Sequence, residues 1–315
     1  MMSVDVLEPA FLGATENPRY MPEHIPVMLN EAIDFLNPKP GGVYIDATLG
    51  LGGHAAEILG RIGTEGRLIG VDRDAQSLEK AKERLLPWEG QCSFAHRNYL
   101  QLDSVIKELK INGVDGILMD LGISSFQLED SSRGFSLQAN GPLDMRMNQE
   151  EEVTAFDVVN SYSEEKLVAI FQEFGEERYA KRIVRNLIAQ RDEQPIETTK
   201  QLAEIIIQSA PWQAGKVRIH PATRVFQAIR IAVNKELESL QEALNKSVGL
   251  LNPGGRIVVI AFHSLEDRIV KNSFREFANQ DKVRLLTKKP LRPSAEEVEF
   301  NGRARSARLR AVERI

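Results

Sequence analysis

The residues best suited to chemistry sit in one short stretch, Val43-Tyr44-Ile45-Asp46-Ala47-Thr48-Leu49-Gly50-Leu51-Gly52-Gly53-His54. An apolar run ends on a carboxylate, passes into a glycine-rich turn and leads into a helix-forming segment from Ala55. Gly50, Gly52 and Gly53 let the backbone bend tightly and approach a ligand where a Cβ would collide. A second apolar run, residues 67–71, ends on Asp72, which follows Gly50 by 22 residues. A carboxylate at that separation, on the tip of the next strand, is placed to accept hydrogen bonds from a ribose diol. A third run, residues 114–120, ends on Asp120 and opens into Leu121-Gly122-Ile123-Ser124-Ser125. Together these segments describe a pocket for a cofactor that contains adenosine.

Two cofactors fit that description. Gly50-x-Gly52-x-x-Ala55 satisfies the loose dinucleotide pattern, so an NAD-dependent oxidoreductase is one reading. The other is a methyltransferase that uses S-adenosylmethionine. Asp46 stands four residues before Gly50. A carboxylate there can pair with the ammonium group of a methionine moiety and would repel a pyrophosphate. The end of the chain reads strand, helix, strand, strand, which suits the methyltransferase sheet with its antiparallel last strand. A third reading is a non-catalytic RNA-binding factor that keeps a vestigial pocket.

The elements that must position these residues follow from the pattern of apolar runs. Strands are predicted at residues 43–46, 67–72, 92–96 and 114–120, and helices at 26–36, 54–61, 74–86 and 99–110. Such alternation means a parallel sheet with helices on both faces. Ligands in these sheets lie at the carboxyl ends of the strands, so Asp46, Asp72 and Asp120 are expected to converge. Asp74 is expected to cap the helix that follows the second strand. The rhythm stops after residue 127. Residues 131–149 read as a loop, and helical patterns follow at 153–160, 163–173, 175–192, 198–209 and 221–249. Thr198 or Thr199 caps the fourth of these, and Pro195 and Pro211 punctuate. The strand pattern resumes at 255–262, followed by a helix at 265–278 and strands at 283–288 and 306–313. The expected fold is α/β, Rossmann-like, with a mostly parallel seven-stranded sheet and an inserted all-helical domain. The expected division is a flexible tail over 1–20, a sheet domain over 21–130 and 250–315, and a helical insertion for substrate recognition over 131–249.

Bulk properties narrow the class. A length of 315 residues allows one large core or two moderate ones. With a single cysteine, Cys92, an internal disulfide framework and a cysteine metal site are excluded, which fits a reducing cytoplasm. No apolar run approaches the roughly 20 residues that span a bilayer, and the early Asp5 and Glu8 do not suit a signal peptide. The net charge of −5 argues mildly against nucleic acid. Its distribution argues the other way. Residues 282–315 carry ten Lys or Arg against four Glu, and Arg178, Lys181, Arg182, Arg185 and Arg191 cluster without an acid over 178–191. Basic stripes of this kind bind phosphate even on an acidic protein.

Longer motifs sharpen the choice. They are His24-Ile25-Pro26-Val27-Met28-Leu29, Asp46-Ala47-Thr48-Leu49-Gly50-Leu51-Gly52-Gly53-His54, Gly70-Val71-Asp72-Arg73-Asp74, and Met119-Asp120-Leu121-Gly122-Ile123-Ser124-Ser125-Phe126-Gln127-Leu128. Further ones are Arg133-Gly134-Phe135-Ser136, Gly141-Pro142-Leu143-Asp144-Met145-Arg146-Met147, the stretch 220–236, and His263-Ser264-Leu265-Glu266-Asp267-Arg268. In this order, from about residue 24 to 313, they resemble the family of ribosomal RNA small-subunit methyltransferase H, also called MraW. The resemblance implies a class I methyltransferase fold with a helical insertion. It implies N4-methylation of one cytidine in the decoding region of 16S ribosomal RNA in the small subunit, with S-adenosylmethionine as methyl donor. It leaves a homodimer open.

Carried over to this chain, the resemblance implies cofactor contacts at Gly52, Gly53, His54, Asp72, Tyr99, Asp120 and Gln127. Gly52 and Gly53 would offer backbone N–H groups to the methionine carboxylate. Tyr99 stands where the family more often has Phe, and its ring could stack on adenine. Asp120 is the candidate catalytic residue. The amine of cytosine is a weak nucleophile and needs an acceptor for one of its N–H groups. Base amino-methyltransferases generally follow their acid or amide with Pro-Pro and an aromatic, whereas Asp120 is followed by Leu-Gly-Ile. That departure leaves open whether Asp120 touches cytosine, cofactor or both, with Phe126 or Phe135 as candidate stacking rings. The segments 139–147 and 263–268 are further pocket candidates, and no metal is expected.

Overall fold

The computed structural model describes residues 25–209 and 220–315. The expected tail over 1–20, His24 and Pro211 lie outside them. The chain begins with α1 (Leu29–Leu36), β1 (Val43–Asp46), α2 (Gly53–Ile62), β2 (Arg67–Asp72), α3 (Ala75–Arg84), β3 (Cys92–His96), α4 (Leu102–Glu108) and β4 (Val114–Asp120). The helical stretch holds α5 (Ser125–Glu129), α6 (Ala155–Ser161), α7 (Glu164–Glu173), α8 (Ala180–Glu193), α9 (Thr199–Ser209), α10 (Thr223–Asn234) and α11 (Glu236–Leu250). The chain closes with β5 (Leu251–Ala261), α12 (Ser264–Asn279), β6 (Val283–Leu285), α13 (Ala295–Phe300) and β7 (Arg308–Arg314).

The strand order is β3-β2-β1-β4-β5-β7-β6. β1 to β5 run parallel, and β7 is antiparallel to both β5 and β6. This is the class I methyltransferase sheet, as expected. Its order reverses between β1 and β4, and such a switch point opens a crevice at the carboxyl ends of the strands. Alternate side chains serve opposite faces. Ile45, Ile69, Ile117, Met119, Ile257 and Val259 pack on one face, with α4, α11 and α12. Tyr44, Leu68, Leu118, Val258 and Ile260 pack on the other, with α1 and α2. Both faces are buried, which is why these strands read as nearly continuous apolar runs. Among the described residues no helix is long and apolar enough to cross a membrane.

A third core belongs to the helical stretch and runs from Phe135 to Val233. In α8, Ile183, Val184 and Leu187 are buried in it while Lys181, Arg182 and Arg185, with Arg178 just before the helix, are exposed. The helix expected over 221–249 is two helices. Lys235, in the left-handed region at φ 49°, separates α10 from α11. Leu240, Ala243, Leu244 and Val248 of α11 then pack on the sheet. The insertion's own core therefore stops short of the expected boundary at 249. The strand expected over 283–288 ends at Leu285, because Leu286 and Thr287 both donate to the carbonyl of Ala311 and the ladder loses its register. The caps follow expectation: Asp74 accepts from the N–H of Gln76 at 3.0 Å, and Thr198 from that of Gln201 at 3.3 Å.

A buried polar knot ties the helical stretch to the tip of β2. The fully buried Arg133 donates to Asp74 Oδ2 (3.0 Å) and to the carbonyls of Arg146 (3.0 Å) and Met147 (2.9 Å). Gln127 Nε2 donates to the same Asp74 oxygen at 2.7 Å. Arg73 donates to the carbonyl of Asn234 (2.9 Å) and to Glu151 (2.6 Å). Removing one partner of a buried pair strands the other charge. Arg133→Met should therefore lower unfolding free energy by about 3–5 kcal/mol, measured by denaturant unfolding. Adding Asp74→Asn should recover much of that loss. A loss under about 1 kcal/mol would show that the pair is dispensable.

Candidate active site

Strand register decides where the three carboxylates stand. Asp46 pairs with Gly70 on β2 and with Leu118 on β4. Asp72 and Asp120 each lie two residues beyond those partners, so all three side chains share one face. A cavity of about 310 Å³ opens at this end of the sheet. Its walls include the 48–51 turn, Gly53, His54, Asp72, Tyr99, Asp120, the 121–125 loop and Gln127.

The turn and Asp72 form a unit. Gly50, at φ 52°, donates its N–H to Asp72 Oδ2 (2.7 Å), and Asp74 donates to Oδ1 (2.8 Å). These donors fix the carboxylate and leave lone pairs toward the cavity for hydroxyl donors. Thr48 Oγ1 accepts from the N–H of Asp120 at 2.6 Å, which locks β1 to the end of β4. Asp120 Oδ1 is buried and has no hydrogen-bond partner among the described residues. Its Oδ2 lies 3.8 Å from His54 Nδ1, while His54 Nε2 stands 3.1 Å from the carbonyl oxygen of Val27.

Crowding these acids together disfavours their charged forms. Burial pushes Asp46 up to about 7, opposed by the Thr48 N–H and reinforced by Asp72. Burial likewise pushes Asp72 up to about 6 against the N–H groups of Asp74 and Gly50. Asp120 rises well above the carboxylate range through burial, then through the charges of Asp46 and Glu266.

The far wall carries a polar cluster. Arg230 holds Glu236 through two hydrogen bonds of 2.9 Å each. Tyr99 donates its hydroxyl to the carbonyl of Glu236 at 3.3 Å. Glu266 Oε2 accepts from the N–H of Phe262 (2.8 Å), and Oε1 lies 3.2 Å from His263 Nε2. Burial works to raise Glu266, but His263 and Arg230 outweigh it and hold the carboxyl below its usual range. Glu236, His263 and Glu266 have ligand atoms within 4.8 Å of one another. Arg230 thus pairs with Glu236, and the N–H groups of Phe262 and His263 hold Glu266.

Of the residues predicted from sequence, Gly53, His54, Asp72, Tyr99, Asp120 and Gln127 line the cavity. Gly52 does not. At φ 74° it makes the turn, and a Cβ on it would meet Leu85 and Ala81 in the core. Asp46 is 1 % exposed and also stands behind the wall, so it acts through its field and not through a direct ion pair. Gly53 lets Pro26 approach, since a Cβ there would lie 2.3 Å from Pro26 Cγ. Neither candidate stacking ring reaches the cavity: Phe126 lies under Lys80, 4.7 Å from Nζ to the ring centroid, and Phe135 is in the core of the insertion. Among the described residues, Phe262 is the phenylalanine that lines it. Met147 and Glu266 represent the two further candidate segments, whereas His263 caps α12. Sequence reasoning gave Arg230, Glu236 and Arg303 no place in this wall. The first two become neighbours only because the helix breaks between them.

The raised acids bind protons more tightly folded than unfolded. From the ordinary carboxylate value of 3.8 up to about 7 for Asp46, folding takes up protons, and stability falls as pH rises through that window. Asp46→Asn keeps the shape and the acceptor for Thr48 but carries no charge. It should raise the thermal midpoint of the donor-free protein by about 2 °C or more near neutral pH, with the gain vanishing toward pH 4. A gain that does not change with pH would contradict the buried charge as its cause.

S-adenosylmethionine fits these residues. Asp72 offers fixed acceptors for a diol, Tyr99 a ring at the wall, and Asp120 a buried carboxyl oxygen that no described residue occupies. The family model described as "MraW methylase family" matches residues 21–315. The chain is similar to "Ribosomal RNA small subunit methyltransferase H" of Carboxydothermus hydrogenoformans, 50 % identical over 307 residues, covering 93 % of this chain and 98 % of the relative. It is similar to the protein of that name from Clostridium botulinum, 48 % identical over 308 residues, covering 93 % and 99 %. Among solved structures, an rRNA methylase from Streptococcus thermophilus aligns over 93 % of this chain and 99 % of its own, at 14 % identity and a TM-score of 0.44. With its sheet, its acid-lined crevice and this match over nearly its whole length, the chain belongs to the MraW methylase family of S-adenosylmethionine-dependent methyltransferases.

Proposed function

We propose that this methyltransferase acts on 16S ribosomal RNA of the small subunit in the cytoplasm and methylates N4 of one cytidine in the decoding region. The observation that carries the reading is Asp120 Oδ1, a buried carboxyl oxygen at the cavity end of β4 without a hydrogen-bond partner among the described residues. The bound donor supplies an electrophilic methyl group on a sulfonium. What the protein must add is an acceptor for one amine N–H, alignment of the nitrogen with the methyl group, and exclusion of water.

Asp120 provides the acceptor. Its backbone is pinned by Thr48, and its Oδ1 stays available because His54 faces the other oxygen. An opposite charge within about 4–6 Å favours the ionised form of a carboxyl group. A cation seated beside Asp120 therefore turns it from a proton holder into a hydrogen-bond acceptor. Phe262 at the same wall offers a face for the pyrimidine, and Glu266 keeps its charge through His263 and Arg230. Asp72 holds the ribose of the donor, and Tyr99 covers its adenine. The helical insertion recognises RNA through the outward basic side of α8. Cations at phosphates make such binding fall steeply with salt.

Mass spectrometry of ribosomal RNA nucleosides, with and without the protein, tests the assignment. N4-methylcytidine should appear only with the active chain, and an unchanged cytidine profile would overturn the reading. Asp120→Ala should lower kcat by about 10²–10⁴ while donor affinity falls far less. An equal loss of donor binding would instead confine Asp120 to holding the cofactor.

A further inference from the structure

Arg303 stands on the wall of the same cavity, outside every role described above. It belongs to a short turn, Gly302–Ser306, that follows α13. Its Nη2 donates to Glu129 Oε1 at 3.1 Å. Glu129 ends α5, the helix entered from the loop after Asp120. The ion pair thus joins the C-terminal segment of the chain to the β4–α5 segment across the rim. The two side chains are 37 % and 75 % exposed. Such a pair contributes only about 0–1 kcal/mol, so Arg303 can change partners at little cost.

The backbone that carries Arg303 is firmly held. Glu297 Oε1 accepts from the N–H of Met28 at 2.6 Å, Asn301 Nδ2 donates to the carbonyl of Ile25 at 3.2 Å, and Ala304 is fully buried. The guanidinium therefore projects from a fixed base. Leu291 pairs with Leu309, which pairs in turn with Ile260 near the end of β5, so Arg292 follows at the level of the cavity. Arg292 and Arg305 are exposed, and Phe300 is 61 % exposed. Cations interleaved with a free ring are the chemistry that holds single-stranded nucleic acid, the cations on phosphates and the ring on a base. A cytosine whose amine reaches Asp120 has left its stack, and its own phosphates then lie at the mouth.

We propose that Arg303 grips a phosphate adjoining the target nucleotide, exchanging Glu129 for it. Glu129 is a built-in competitor that keeps the guanidinium aimed across the rim when RNA is absent. This inference rests on the RNA reading above and names the contact that seats the nucleotide. Arg303 is a positioning residue: it fixes where the base enters and takes no part in methyl transfer.

The test compares the wild type with Arg303→Ala, Arg303→Lys and Glu129→Gln, using 16S RNA and unmodified small subunits as probes. Arg303→Ala should weaken RNA binding and raise KM for RNA roughly tenfold, with kcat and donor affinity unchanged. The slope of log affinity against log salt should become shallower by about 0.7, one contact on a single strand. Arg303→Lys should keep the slope and recover part of the affinity, and Glu129→Gln should tighten RNA binding. If Arg303→Ala leaves KM and salt slope at wild-type values, or lowers donor affinity to the same extent as RNA affinity, the proposal is overturned. A wild type that methylates ribosomal RNA while Arg303→Ala is unaltered sinks this contact alone. A wild type that neither binds nor methylates RNA sinks the underlying reading with it.

Discussion

Keeping three carboxylates buried side by side is the constraint on which the site depends. The register of β2, β1 and β4 leaves no other arrangement, because Asp46, Asp72 and Asp120 end adjacent parallel strands on one face. A parallel sheet buried on both faces cannot turn these groups out to water. Backbone donors offset part of the cost at Asp46 and Asp72, and among the described residues Asp120 Oδ1 has none. The sheet thus holds three acids where burial and their neighbours make each resist ionising. A ligand with positive charge relieves that repulsion, and a pyrophosphate would add to it. The same feature that separates the two cofactor readings in sequence, an acid before the glycine turn, separates them in the structure through its field rather than through contact.

A two-residue step at the tip of β2 couples this site to the rest of the molecule. Asp72 faces the cavity, and Asp74 faces the knot of Arg133 and Gln127. Arg73, between them, reaches the end of α10 and Glu151. A shift of Asp72 would therefore be felt by the loop over 133–151 and by the α10–α11 junction, which supplies Arg230 and Glu236 to the far wall. The insertion is rigidly registered to the cofactor side, and its helices are held by their own core.

Much of this was legible in the sequence for identifiable reasons. β1, β2, β3 and β4 begin and end at their predicted residues, because short apolar runs bounded by turn residues and ending on Asp leave little freedom. Asp72 and Asp120 were placed by the same logic. The break at Lys235 was hidden, since no glycine or proline marks it, and a left-handed lysine is a tertiary outcome rather than a local preference. On an unbroken helix, residues six apart such as Arg230 and Glu236 would lie on different sides and could not pair. Gly52 looked like a ligand-facing glycine because sequence shows that a turn needs glycine but not which side of the turn the ligand takes. Arg303 was counted only within the basic end over 282–315, because its place in the wall comes from a fold contact: α13 and the turn after it dock on residues 25–28, far away in sequence.

An acidic protein can hold an acidic polymer because charge acts locally. Screening confines the field of exposed groups to about 8 Å at physiological ionic strength, so the net charge of −5 says little about the rim. The three acids lie within the sheet ends, and the outward cations of α8 and of residues 292–305 lie at the surface. The buried sign favours a cationic donor, and on the proposed reading the exposed sign is left free for phosphates.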